Sequence, residues 1–253
     1  EKGKHTASLE ADFIQYEAKG PLTAFVGDRQ SYYRLNYEFT QRKGLSRFAV
    51  NVNTELHESY QKITASASIN HIFNEKEDRI SLRWYGGLMS LEENFIPFGA
   101  RLNLSGTTGA PEIDGSADDY RYDYLFIDRG FEPGNLGRQI VRDRGGFVQG
   151  TSFGVSAEWL TALNLEVDLP LGPVSLYGNL GFYDTGLSVE SLYETGARVT
   201  VLRDKVDVSF PLFVDKTITD SNDFRDVKYA ETIRIQLRIE LAELRSIIDG
   251  IEL

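Results

Sequence analysis

The chain is 253 residues long, carries a formal net charge of −11 and contains no cysteine. The excess of carboxylates argues against a nucleic-acid partner, since phosphate binding needs a basic patch. The absence of cysteine excludes disulfides and thiol chemistry. No run of about 18 apolar residues is present, which excludes a transmembrane helix. The length suits one large β domain or two small ones.

Apolar and polar residues alternate along most of the chain, which is the pattern of a β-strand with one apolar face. In chain order, the first predicted strands lie at about 5–16, 33–39, 48–56, 63–69 and 80–88, with a sixth near 98–104. Residues 105–150 are rich in Gly, Asp and Arg. We predict that they form a long loop, and a loop of this length is usually functional or disordered.

The alternation resumes after the loop and predicts strands at about 153–169, 174–183, 193–202, 206–213 and 232–241. It is clearest in the last of these, where Ile233, Ile235 and Leu237 alternate with polar residues. We predict an all-β fold, an antiparallel up-and-down transmembrane β-barrel of about 10–12 strands. The barrel would span residues 1–241 as a single domain, and 242–253 would be a C-terminal tail with a short helix.

Two architectures fit the alternation. In a soluble barrel or sandwich the apolar face points inward, whereas in an outer-membrane barrel it points at lipid and the charged face lines a polar lumen. Several predicted strands run to about ten residues, the length that a tilted strand needs to cross a bilayer, whereas ordinary strands average about five to six. Aromatic residues near strand ends, such as Tyr33 and Trp159, are typical of an interfacial girdle. The membrane barrel is therefore favoured, with a soluble ligand-binding β-barrel as an alternative.

The charged face of the predicted strands supplies candidate lumen residues. They are Arg34, Glu38, Arg83, Glu166, Asp168, Arg234, Arg238 and Glu240. If these charges face open water, the chain is a channel for small solutes. If they pair with one another they fill the lumen, which is typical of a small barrel.

Metal and catalytic motifs are weak. His57-Glu58 begins like a zinc motif, but residue 61 is Gln where the second histidine is needed. The aspartates at 114–123 and 220–226 lack the spacing of an EF-hand. No Gly-x-Ser-x-Gly elbow is present. We therefore expect no metal, no cofactor and no enzymatic activity.

Short motifs follow one another from the long loop onward. They are Asp128-Arg129-Gly130-Phe131, Gly145-Gly146-Phe147, Leu169-Pro170-Leu171, Phe182-Tyr183-Asp184-Thr185-Gly186 and Phe210-Pro211-Leu212. This order resembles the C-terminal half of barrels in the outer-membrane assembly and two-partner-secretion superfamily, the BamA-like proteins. In that family an Arg-Gly-Phe/Tyr loop tip folds back into the lumen, and its arginine meets an acidic residue of a later strand. The resemblance implies a lock formed by Arg129, Gly130, Phe131 and Asp184, in which Arg129 pairs with Asp184.

The resemblance covers about residues 125–241. Members of the superfamily normally have more strands and carry periplasmic domains before the barrel. This chain therefore resembles a reduced barrel of the type attached to periplasmic or surface enzymes in Bacteroidetes. That likeness implies a membrane anchor or an assembly or translocation component in the outer membrane of a Gram-negative bacterium. Its partners would be outer-membrane lipid, and other proteins of a complex or a missing upstream domain, but no nucleic acid.

Overall fold

The computed structural model describes residues 3–15, 29–91, 98–108, 119, 123–124, 126, 138–149, 153–170, 172–202, 205–219 and 228–237. Of these residues, 69% lie in strands and 6% in helices. The predicted all-β class is therefore confirmed. No helix within the described ranges is long and apolar enough to span a bilayer.

Ten strands form one large sheet. The first five are β1 (Lys4–Gln15), β2 (Arg29–Lys43), β3 (Ser46–Leu56), β4 (Tyr60–Ile72) and β5 (Arg79–Leu91). After four short strands, β6 to β9, come β10 (Trp159–Asp168), β11 (Val174–Asp184), β12 (Val189–Leu202), β13 (Val206–Val214) and β14 (Arg234–Leu237). The described residues between β13 and β14 include two helices, α1 (Lys216–Thr219) and α2 (Tyr229–Thr232).

The sheet is antiparallel throughout, and its strand order follows the chain except that β5 pairs directly with β10. The predicted large antiparallel sheet of about ten strands is therefore confirmed. The edges are β1 and β14, and no ladder joins them among the described residues. Closure into a barrel accordingly stays a prediction.

Residues 92–158 connect β5 to β10, and we call them the insert. Its described part holds a 3-10 helix (Phe98–Ala100) and the short strands β6 (Leu102–Asn103), β7 (Thr107–Thr108), β8 (Ile140–Val141) and β9 (Val155–Ser156). β6 pairs with β9, and β7 pairs with β8. The sixth strand predicted near 98–104 is thus only two residues long. The reason is burial: consecutive residues from Leu102 to Thr107 are all buried, so this segment packs on every side and presents no face to the surface.

The two faces of the sheet differ in the sense opposite to that of an ordinary soluble protein. One face lies away from the insert, and we call it the outward face. Large apolar side chains are accessible there: Leu35 is 52% exposed, Trp84 44% and Leu163 45%. The other face contacts the insert, and we call it the inward face; polar side chains are buried there, with Asn179 3% exposed and Glu194 0%. Side chains alternate between the two faces along each strand, and along β11 this alternation is also one between accessible and buried side chains.

The apolar core lies at one end of the inward face. Its members are Tyr32, Tyr60, Tyr85, Met89, Leu160, Ala162, Tyr183 and Leu192 of the long strands, Ala100, Leu102, Leu104 and Phe147 of the insert, and Ile218 of α1. The turns at 44–45 and 73–78 lie at the opposite end of the sheet, where β10 and β12 also end; we call it the short-turn end. The insert therefore enters the inward face from the end that faces away from these turns.

Candidate functional site

The insert places one stretch of chain, residues 142–149, against the inward face of β5, β10, β11 and β12; we call it the inner segment. Backbone hydrogen bonds fix it to the rest of the insert. Gly145 N donates to Asn103 O at 3.1 Å, and Phe147 N donates to Leu104 O at 3.0 Å. The inner segment thus lies between the rest of the insert on one side and the sheet on the other.

Two glycines allow this close approach. A Cβ on Gly145 would lie 2.3 Å from the carbonyl oxygen of Leu104, which is backbone and has no room to move away. Gly146 has a φ of +78°, and a Cβ there would lie 2.8 Å from Oδ1 of Asn164. Glycine alone combines this left-handed backbone with the absence of a side chain. The Gly145-Gly146 pair is therefore required by the fold of the inner segment.

One row of side chains in register across four strands binds the inner segment. Arg83, Asn164, Asn179 and Glu194 are direct ladder partners on β5, β10, β11 and β12. Nη2 of Arg83 donates to the carbonyl of Arg144 at 2.6 Å, and Nδ2 of Asn164 donates to the carbonyl of Gly145 at 2.8 Å.

The carboxylate of Glu194 ends this row. It accepts hydrogen bonds from the backbone N–H groups of Val148 (2.5 Å) and Gln149 (3.1 Å), and from Nδ2 of Asn179 (2.6 Å). A buried carboxylate is tolerated where several donors replace its hydration. Glu194 is therefore the acceptor that fixes the end of the inner segment.

A second group of side chains lies about two residues further along the strands, towards the short-turn end, and it is ionic. Glu166 accepts from Nη1 of Arg198 at 2.6 and 2.7 Å, from Nη1 of Arg142 at 3.0 Å and from the hydroxyl of Ser175 at 3.0 Å. The guanidinium carbons of Arg142 and Arg198 lie 5.5 and 5.8 Å from the ring centroid of Tyr177, within cation–π range. We call the two groups together the inward polar network.

Asp143 organises the insert internally. Its carboxylate accepts from N and Oγ1 of Thr107 at 2.8 and 2.6 Å, and from the hydroxyl of Tyr124 at 3.0 Å. Burial, reinforced by the charge of Asp143, raises the pKa of Tyr124. The phenol stays protonated at neutral pH and can donate this bond.

The predicted lumen charges have different surroundings. Arg83 and Glu166 belong to the network. Arg34 forms ion pairs with Glu10 at 2.9 Å and with Asp123 of the insert at 3.3 Å.

Two more of the predicted charges lie at the margins of the inward face. Asp168 pairs with Arg79 at 3.4 Å, and Glu38 is exposed. Arg234 donates to the carbonyl of Glu231 at 2.6 Å. Arg238 and Glu240 lie outside the described residues.

The predicted lock is only half visible, because Arg129, Gly130 and Phe131 lie outside the described residues. Asp184 ends β11, where it accepts from Nε1 of Trp159 at 3.1 Å and from the backbone N–H of Gly186 at 2.6 Å. The pairing of Arg129 with Asp184 stays a prediction.

Reasoning from the sequence missed much of the network, namely Asn164, Ser175, Asn179, Glu194 and Arg198. A signal was present, because each occupies a polar position in an alternating strand. What the alternation does not give is the register between strands, and register is what brings Asn164, Asn179 and Glu194 into one row.

Within the described ranges, no group of three or more His, Asp or Glu side chains is placed to hold a metal ion. No protein-family model matches the chain, and no curated protein matches it. The proposal that follows therefore depends on the geometry of the sheet and its insert.

Proposed function

We propose that the chain is an outer-membrane β-barrel of a Gram-negative bacterium, and that it serves as a membrane anchor or as an assembly or translocation component. The observation that carries the proposal is the inversion of the two faces, with accessible leucines and aromatics outward and buried amides and charges inward. Exposed apolar surface of this extent is unfavourable in water and favourable against hydrocarbon. In this proposal the chain is not an enzyme, and lipid is its first partner.

Strand length supports the same proposal. β2 to β5 contain 15, 11, 13 and 13 residues, and β10 to β13 contain 10, 11, 14 and 9. A tilted strand needs about 9–11 residues to cross a bilayer. We propose that β1 and β14 complete the wall of the barrel.

The insert supports the role of anchor or assembly component over that of an open channel. Its contacts reach β2 through Asp123 and β12 through the inner segment, which are on opposite sides of the sheet order. A segment bound on both sides fills the interior near the core. We propose that it plugs the lumen.

A small-solute channel is the second candidate, because a cavity of about 860 Å³ lies on the inward face at the short-turn end. Its described lining includes Arg47 of β3, Asn70 of β4, Pro173 beside β11 and Asp207 of β13. Conductance in a planar bilayer separates the two candidates. A plugged barrel gives no stable current steps, whereas a channel does.

Depth-resolved quenching tests membrane insertion, since the chain has only two tryptophans. Trp84 lies within β5 and is accessible on the outward face, whereas Trp159 begins β10 and pairs with Leu88. Four residues separate positions 84 and 88, which is about 13 Å along the strand and about 9 Å of depth at a tilt near 45°. Trp159→Phe and Trp84→Phe variants isolate each reporter.

In vesicles whose acyl chains carry bromine, we expect Trp84 to be quenched most by bromine near the bilayer centre. We expect Trp159 to be quenched most by bromine near the headgroups. If neither tryptophan is quenched and the protein is monomeric without detergent, the chain is a soluble β protein and the proposal fails. Equal quenching of both at either depth would contradict the proposed transmembrane alignment.

A further inference from the structure

A second, smaller cavity lies between the 860 Å³ cavity and the inner segment. It has a volume of about 330 Å³, and we call it the chamber. The two cavities share Asn70, Arg79, Glu166, Asp168 and Arg198 in their walls. The chamber is therefore reached from the short-turn end and ends against the inner segment.

The described wall of the chamber has an excess of positive charge. It contains Arg79, Arg83, Arg142 and Arg198 but only two carboxylates, Glu166 and Asp168. Arg79 and Asp168 form one pair at 3.4 Å. The remaining three arginines thus face a single wall carboxylate.

The hydrogen bonds show how uneven this balance is. Glu166 is shared between Arg142 and Arg198. Among the described residues, Arg83 bonds to two neutral oxygens, Oδ1 of Asn164 at 3.0 Å and the carbonyl of Arg144 at 2.6 Å. The nearby carboxylates of Asp143 and Glu194 do not line the chamber, and both accept hydrogen bonds from the insert.

Like charges held close together repel one another, and a counter-charge that approaches them relieves the repulsion. A guanidinium group presents a planar fork of N–H donors that suits the oxygens of a phosphate or carboxylate. Since a water molecule occupies about 30 Å³ of liquid, the chamber has room for roughly ten waters, or for one phosphate with part of its hydration shell.

We propose that the chamber binds one small oxyanion of phosphate size, between Arg83, Arg142 and Arg198. The anion enters from the short-turn end and stops at the inner segment. The site requires only the local geometry of the inward face, so it is independent of membrane insertion.

Isothermal titration of the folded full-length chain with inorganic phosphate, in non-ionic detergent micelles at constant ionic strength, tests the site. We expect saturable binding of one phosphate per chain. Arg83→Gln removes a guanidinium group that forms no ion pair within the described residues, and it should weaken binding at least tenfold. Arg47→Gln is the matched control, because Arg47 lines the larger cavity but not the chamber, and should change affinity less than about twofold.

A substitution that removes a negative charge instead of a positive one makes the test sharper. Glu166→Gln removes the competing carboxylate and should tighten phosphate binding several-fold. If Arg83→Gln does not fold, Arg83→Lys keeps the charge without the fork and should bind phosphate more weakly than the wild type. Circular dichroism verifies the fold of each variant.

The proposal is overturned if the folded wild type shows no saturable binding. It is also overturned if Arg83→Gln and Arg47→Gln weaken binding equally, or if folded Glu166→Gln binds no more tightly than the wild type. Each of these results leaves the tryptophan-quenching test unaffected, so a failed anion site and a failed membrane proposal are distinguishable.

Discussion

The inward face of the sheet has two regions with the same alternating sequence and different surroundings. Along β10–β13, the covered region, Asn164, Glu194 and Arg198 are buried beneath the inner segment. Along β1–β3, the open region, Thr6, Glu38 and other polar side chains remain exposed. Alternation decides which face a side chain takes, but contact with the insert decides whether it loses water. The same substitution should therefore have different effects in the two regions.

Arginine truncation should separate a covered ion pair from an exposed one most. Arg198 is 4% exposed and binds Glu166, whereas Arg79 is 53% exposed and pairs with Asp168 at 3.4 Å. Removing one partner of a buried pair destabilises by about 3–5 kcal/mol, and an exposed pair contributes about 1 kcal/mol or less. We expect Arg198→Ala to lower the free energy of unfolding far more than Arg79→Ala. Guanidinium chloride unfolding in micelles, followed by tryptophan fluorescence, measures both, and equal losses would contradict the expected effect of cover by the insert.

Replacing glutamate by glutamine tests whether Glu194 fixes the end of the inner segment to the sheet. In Glu194→Gln, an amide N–H₂ faces donors that need an acceptor, and the loss should be about 2–3 kcal/mol. The backbone amides of Val148 and Gln149, which donate to Glu194, should exchange hydrogen faster. Glu38→Gln is the control, since an exposed side chain should change stability by less than about 0.5 kcal/mol. Unchanged hydrogen exchange at the amides of residues 148 and 149 in the Glu194 variant would contradict this role of Glu194.

These contrasts mark what the sequence can predict. The alternation predicted the all-β class, and the predicted strand positions closely match β1–β5 and β11–β13. It also separated Arg83 and Glu166 from their apolar neighbours. A local pattern of period two carries this information because each strand obeys it independently.

The inner segment could not be predicted in the same way. The motif Arg144-Gly145-Gly146-Phe147 has no periodic signal, and its side-chain partners come from β5, β10 and β11. Which partners meet depends on ladder register, and a shift of one residue would turn every one of them to the opposite face. The sequence therefore indicated a functional loop without indicating where the loop binds.

Two glycines with left-handed backbone provide the next comparison. Gly146 (φ +78°) faces Asn164 and Arg83 in the covered region, whereas Gly44 (φ +58°) lies in the β2–β3 turn with no atom near its missing Cβ. Alanine adds about 1–2 kcal/mol of backbone strain at both positions. At Gly146 the clash with Asn164 should add about 1–2 kcal/mol more. Equal unfolding midpoints for Gly146→Ala and Gly44→Ala would show that the inner segment has room to retreat from the sheet.

The smallest contrast uses two serines whose hydroxyls make bonds of nearly equal length. The hydroxyl of Ser175 lies 3.0 Å from Glu166 in the covered region, and that of Ser46 lies 2.9 Å from Nδ1 of His71 at an exposed turn. Ser175→Ala removes a donor from the partly exposed Glu166 carboxylate and should destabilise by about 1 kcal/mol. Water replaces the lost partner of His71, so Ser46→Ala should change stability by less than about 0.5 kcal/mol. The bonds match in length but differ in acceptor, a carboxylate and an imidazole, so a difference between these variants combines the cover of the insert with the charge of Glu166. Equal stability of the two variants would contradict the expected effect of that cover.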